Sequence, residues 1–223
     1  MKTEDHQRDV YFWDMDHTII NNDCDVSWKE FLHSKGVAPS NAMELADKYY
    51  QDYLNNTLDD AEFMDFQLAE FKGKTWEEML ELSRLHFTEV VKQKIYPEAE
   101  EMIRQQMSEG KLLCLITATN SVIAYALKEY FGFDHMIASE LELIDGEFTG
   151  KPEGQYCLGQ GKVDLMKKFF LEHGGSLEST TYYGDSPADV VIMEAVGNPY
   201  AVNPAPALLK AAELNDWPIL SFK

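Results

Sequence analysis

The sequence predicts an α/β fold: a doubly wound parallel sheet interrupted after its first strand by an inserted all-helical cap. Three observations predict it. From residue 96 onward, short apolar runs alternate with helical segments, as in a parallel sheet covered on both faces. Before that, residues 26–93 carry apolar side chains at helical spacing, with no strand signal among them. A lone apolar run, Val10-Tyr11-Phe12-Trp13, precedes this block, so the helices fall inside the chain of the sheet.

The elements follow in order. Val10–Trp13 is the first strand. Trp28, Phe31 and Leu32 give the first helical stripe, and Trp76, Met79, Leu80, Phe87, Val90 and Val91 the last. Between them lie Met43–Leu54 and Ala61–Phe71, whose Tyr49, Tyr50, Tyr53, Phe63, Phe66 and Phe71 read as cap packing. Tyr96-Pro97 ends the block. Helix Glu98–Ser108 stops at Glu109-Gly110, and strand Leu112–Thr117, helix Ser121–Phe131 and a strand near Met136–Ala138 come next. A hairpin over Leu141–Thr149 turns on Asp145-Gly146. Helix Val163–His173, strand Thr180–Gly184, helix Ala188–Val196 and strand Tyr200–Val202 complete the run. The division is a catalytic core of residues 1–22 and 96–223, and a helical cap of residues 23–95. There is no internal repeat or low-complexity tract.

Composition narrows the function. The 223 residues carry a net charge of −20, with 45% hydrophobic and 26% charged residues, so the chain is globular rather than disordered. With three arginines and this acidity, it is a poor partner for nucleic acid or an anionic membrane. The first ten residues, MKTEDHQRDV, lack the apolar stretch of a signal peptide, and no run is long enough to span a bilayer. Cys24, Cys114 and Cys157 fit neither a disulfide framework nor a zinc pattern and read as reduced thiols in a cytoplasmic protein. His6, His33, His86, His135 and His173 are scattered without ligand spacing.

In an open parallel sheet, the site lies at the carboxyl ends of the strands. There stand Asp14, Asp16 and Thr18 after the first strand, Thr117 after the second, and Asp185 and Asp189 in GDSPAD; Lys162 opens a preceding helix. Four carboxylates in one crevice repel unless protonated or neutralised by a metal. Hard oxygen donors without His or Cys favour Mg²⁺. An Asp can attack phosphorus and divide hydrolysis into two easier steps, while a second carboxylate moves the protons. Chance supplies D-x-D-x-T only about 0.06 times in a chain of this composition. The bland alternatives are a capping role for Asp16 and a loop role for Asp185.

On DMDHT (Asp14–Thr18), ITAT (Ile116–Thr119), Lys162, GDSPAD (Gly184–Asp189) and the tail MEAVGNPYAVNP, the chain resembles a haloacid dehalogenase superfamily phosphatase. The resemblance is to its phosphoserine phosphatase-like branch with a helical cap. It implies a Rossmann-like core, Asp14 as nucleophile and Asp16 as acid/base. It also implies Mg²⁺ held by Asp14, Asp16 (through its carbonyl), Asp185 and Asp189, and a phosphoryl group held by Thr18, Thr117, Ala118 and Lys162. Two departures stand out: His17 occupies a position where much of the family has glycine, and Ala188 one where asparagine is usual.

Asp23 lies nine residues past Asp14, where the phosphoserine phosphatases place an acid that meets the substrate amine. With Asp25 and Trp28 it suits a cationic group. The alternatives are core packing for Trp28, and solvated loop acids or a helix cap at Asp25. Arg84, the only arginine of the cap, reads as a surface residue. The expectation is a phosphatase acting on a small amine-bearing phosphomonoester. A phosphotransferase using the same aspartyl-phosphate stays open, as does a non-catalytic phosphate-binding module, against which the intact acids and lysine argue.

Overall fold

Strands buried on both faces read as continuous apolar runs, and the first one sets the frame. In the computed structural model, which describes residues 10–54 and 59–223, β1 (Val10–Trp13) lies at the centre of a seven-stranded sheet. His6 lies outside the described residues, as do the side chains of Tyr50 and Tyr53. Four helices follow β1: α1 (Cys24–Ser34), α2 (Ala42–Leu54), α3 (Asp60–Leu68) and α4 (Trp76–His86). A capping box of Thr75 and Glu78 starts α4, which runs on into a π-helical turn, Phe87–Val91.

The chain then alternates through α5 (Pro97–Ser108), β2 (Leu112–Asn120), α6 (Ser121–Phe131), β3 (His135–Ile144) and β4 (Glu147–Glu153). It continues with α7 (Gln160–His173), β5 (Thr181–Gly184), α8 (Val190–Met193), β6 (Asn198–Val202), α9 (Pro206–Leu214) and β7 (Ile219–Leu220). The strand order is β4-β3-β2-β1-β5-β6-β7. Every neighbouring pair is parallel except β3 and β4, the hairpin turned by Asp145-Gly146. Among the described residues, no helix is long and apolar enough to cross a membrane.

Alternation along β1 divides the two layers. Phe12 faces Phe169 and Phe170 of α7, edge-on at 5.6 and 5.9 Å. Trp13 faces the other way and stacks on Tyr183 at 3.8 Å, with Gln106 of α5 bonded to both polar tips. On this second face the core runs without a break from Trp13, Leu113 and Leu115 into Ile19, Trp28, Leu32, Phe71 and Met79. Among the described residues, the inserted helices therefore share the core of the sheet and own no separate one.

Three segments differ from the sequence expectation. The helix expected over Ala188–Val196 begins as a 3₁₀ turn, Pro187–Asp189, and α8 is four residues long. The strand expected near Met136–Ala138 extends to Ile144 and merges with the hairpin. The C-terminal α9 and edge strand β7 lie beyond the last expected element.

Candidate active site

β1 ends at Trp13, and its pairing with β5 carries one residue further, where the Asp14 amide donates to the Tyr183 carbonyl (3.0 Å). Asp14 is thereby fixed at the carboxyl edge of the sheet, buried. The chain turns at once: the amides of Ile19 and Ile20 both return to the Met15 carbonyl. His17 sits in this turn with φ at +55°, a left-handed conformation in which a side chain costs about 1–2 kcal/mol. A glycine would take up this turn without that cost, and His17 itself is exposed.

Lys162, fully buried on the first turn of α7, reaches Asp14 Oδ1 at 3.0 Å and Asp189 Oδ1 at 3.2 Å. The Tyr182 hydroxyl donates to the same Asp189 oxygen (2.6 Å), while the Ser186 amide and hydroxyl donate to Oδ2, both at 2.9 Å. Thr18 Oγ1 donates to Asp185 Oδ1 (3.2 Å). Asp14, Asp185 and Asp189 each place a carboxylate oxygen within 4.8 Å of the others.

Gly184 makes this crowding possible. A Cβ there would lie 2.7 Å from Asp189 Oδ2 and 2.7 Å from the Tyr182 ring.

Asp16 is held separately. Thr119 Oγ1 donates to its Oδ2 (2.6 Å), and the Cys24 amide to its Oδ1 (2.9 Å). The β2–β3 register shifts between Ile116 and Asn120, which frees Thr117, Ala118 and Thr119 from regular pairing at the strand end. Thr117 Oγ1 accepts from the Thr119 amide (3.1 Å).

The charges show what the site lacks. Burial raises Asp14 to about 6, with Lys162 opposing and Asp189 adding to the rise. Burial raises Asp16 to about 8 against the Thr119 hydrogen bond, helped by Asp25, Asp23 and Asp14. Burial, Asp14 and Asp189 raise Asp185 to about 8. Asp189 alone goes down: burial works against it, but Lys162, Tyr182 and Ser186 outweigh that cost. One ammonium among these acids leaves an excess of negative charge, which protons or a cation must balance.

Seven of the eight core residues of the sequence reading (Asp14, Asp16, Thr18, Thr117, Lys162, Asp185, Asp189) bring their side chains to this one edge, and the eighth, Ala118, lies between Thr117 and Thr119 at the irregular end of β2. Sequence reasoning missed Thr119, Tyr182 and Ser186. Thr119 stood within the quoted ITAT motif, two residues past Thr117. The three cap residues separate. Asp23, exposed, caps α1 by accepting from the Val26 amide (3.0 Å), so the cap is Asp23 and not Asp25. Asp25 faces a cavity between the inserted helices and the core. Trp28 lies in the hydrophobic core, stacked between Phe31 and Phe71, with no hydrogen-bond partner for its Nε1. Arg84 pairs on the surface with Glu129 (2.7 Å).

A family profile of haloacid dehalogenase-like hydrolases matches residues 11–194. A histidinol-phosphatase of Neisseria meningitidis is 32% identical over 97% of this chain and 100% of its own length. The crystal structure of a protein of unknown function from Bordetella pertussis superposes with a TM-score of 0.88 at 29% identity, over 96% of this chain and 98% of that one. A substrate-bound phosphoserine phosphatase shares the fold at a TM-score of 0.66 and 20% identity, over 96% of this chain and 93% of that one.

Proposed function

Because the chain belongs to the haloacid dehalogenase-like hydrolases and is a phosphatase, we propose that it hydrolyses a small amine-bearing phosphomonoester with Mg²⁺ through an aspartyl-phosphate on Asp14. The observation that carries this reading is the buried contact of Asp14 with Lys162, beside a second acid, Asp16, with its own donors.

The chemistry follows from those placements. The Asp14 carboxylate attacks phosphorus, and the bond from phosphorus to the ester oxygen breaks. The departing oxygen takes the proton of Asp16, which its raised pKa keeps on the carboxyl group at neutral pH. Water then attacks the aspartyl-phosphate, giving its proton to the Asp16 carboxylate; inorganic phosphate leaves and Asp14 is restored. Lys162 and Thr117 hold the phosphoryl oxygens throughout.

Mg²⁺ fits the donor set, since hard carboxylate oxygens converge there with too little positive charge. Asp14, Asp185 and the Asp16 carbonyl would hold it. Asp189, whose oxygens already accept four bonds, supports the site by fixing Lys162. When bound, the ion offsets the charge of the transferring phosphoryl group.

The arginine-poor surroundings and the Neisseria relative make histidinol phosphate the first ester to test. Three buried free cysteines support a reducing, cytoplasmic setting. Phosphate release from a panel of metabolite phosphates, with Mg²⁺ and with EDTA, tests the reading: release should require the metal. Asp14→Asn should lower release by roughly 10³-fold or more with an unchanged far-UV spectrum. Full activity in that variant would overturn the covalent route.

A further inference from the structure

A cavity of about 710 Å³ lies between the inserted helices and the segment from β3 to α7. Its walls are mainly apolar: Met43, Tyr49, Phe63 and Phe66 from the helices, Tyr156 and Leu158 from the core. Three acids, Asp25, Glu140 and Glu153, also line it. Lys29 is the one basic side chain among its described lining residues, and its charge is already taken up. Its Nζ pairs with Glu70, donates to the Phe66 carbonyl (2.8 Å) and lies 4.3 Å from the centre of the Phe66 ring. Glu140 is held in place, its Oε2 accepting from Ser121 Oγ (2.6 Å).

The cavity adjoins the acid that serves the departing oxygen. Asp25, in its wall, directly follows Cys24, whose amide donates to Asp16 Oδ1 (2.9 Å). Ser139, also in the wall, pairs across the strands with Asn120, three residues past Thr117. In the reaction proposed above, Asp16 protonates the leaving oxygen, so the leaving group lies on the side of Asp16. Asp25 and Ser139 bring the cavity wall to that side.

We propose, resting on the phosphatase reading, that this cavity is the leaving-group subsite. It selects an amino-alcohol phosphate that carries a flat or apolar body and no carboxylate, with Asp25 and Glu140 as the acids that face the ammonium group. The aromatic walls take the body by stacking and by cation–π contact. A carboxylate on the substrate would meet three acids and, among the described lining residues, no unpaired cation, so it is disfavoured. Pockets of this size and lining hold ligands well beyond a serine side chain. Glu140 comes from the core strand β3, outside the helical insert where specificity was sought in the sequence.

The test compares kcat/KM for phenylalaninol phosphate, its deaminated analogue 3-phenylpropyl phosphate, phosphoserine and p-nitrophenyl phosphate. The wild type should favour the amine over its deaminated analogue, and over phosphoserine, by about tenfold or more, the worth of one charge-assisted hydrogen bond. Glu140→Gln should collapse the amine preference mainly through KM, Glu140→Asp should restore part of it, and Asp25→Asn should act in the same direction. Equal rates for the amine and its deaminated analogue would overturn the inference, as would an amine preference that survives both neutralising variants. Release from none of the esters, p-nitrophenyl phosphate included, would overturn the phosphatase reading itself.

Discussion

Thr119 is a neutral residue that fixes a charged one. Its hydroxyl and the Cys24 amide bond the two oxygens of Asp16, so the carboxyl group has one orientation. Thr119→Val removes one donor without changing volume much, and steady-state kinetics should show kcat falling about tenfold with KM nearly unchanged. Thr119→Ser should recover most of the loss; a KM effect instead would place Thr119 on the substrate. At this scale the sequence revealed the charged residues, because D-x-D-x-T and G-D-x-x-x-D are local patterns. Tyr182 was not legible, since its contact with Lys162 forms only once the sheet sets β5 beside α7; Ser186, three residues before Asp189 in GDSPAD, was legible as a local Ser-x-x-Asp cap and was overlooked. The left-handed backbone at position 17 was equally hidden, since such a turn has no signature when histidine fills it.

At the level of elements, the end of β5 shows how little room the site allows. Gly184 has an ordinary backbone, and its lack of a Cβ serves Asp189 rather than a turn. Gly184→Ala should force Asp189 away from Lys162 and Tyr182, lowering stability by about 1–3 kcal/mol in chemical denaturation and reducing kcat with it. Normal stability with normal activity would show that the crowded geometry can relax. The alternation of strands and helices after residue 96 was readable from apolar runs alone. The helix expected at 188–196 is present but shortened to Val190–Met193: Ser186 and Asp189 form a capping box around Pro187, and the chain winds as 3₁₀ first. The strand β7, two residues long at the sheet edge, carries too few side chains to form a pattern.

For the molecule as a whole, pH should report on the site. Asp14, Asp16 and Asp185 are raised from 3.8 to about 6, 8 and 8, and Asp25 is raised by burial to about 7. The folded protein keeps protons that the unfolded chain has released, so stability falls as pH rises through these values. His86, lowered by burial to about 4, acts in the opposite direction, but only below its ordinary 6.5. Between pH 6.5 and 8 the carboxylates act alone among these groups. Without a divalent cation, Tm should therefore drop across this interval, and Mg²⁺ should raise Tm more at pH 8 than at 6.5. A metal-free Tm that climbs with pH would contradict the raised carboxylates. The continuity of the core between sheet and insert was beyond the sequence, because each helical stripe shows that a face is buried without saying against what.

The β3–β4 hairpin touches the insert through backbone as well as side chains. The Phe148 carbonyl accepts from the Gly73 amide and the Phe148 amide donates to the Lys74 carbonyl, both at 2.8 Å, while its ring meets Phe71 edge-on. Two stretches far apart in the gene thus form one mechanical joint. A chimera with a single crossover between them would pair an insert from one parent with a hairpin from another. Exchanging the insert alone between relatives is accordingly a poor route to new specificity. The heritable unit is the insert together with its hairpin.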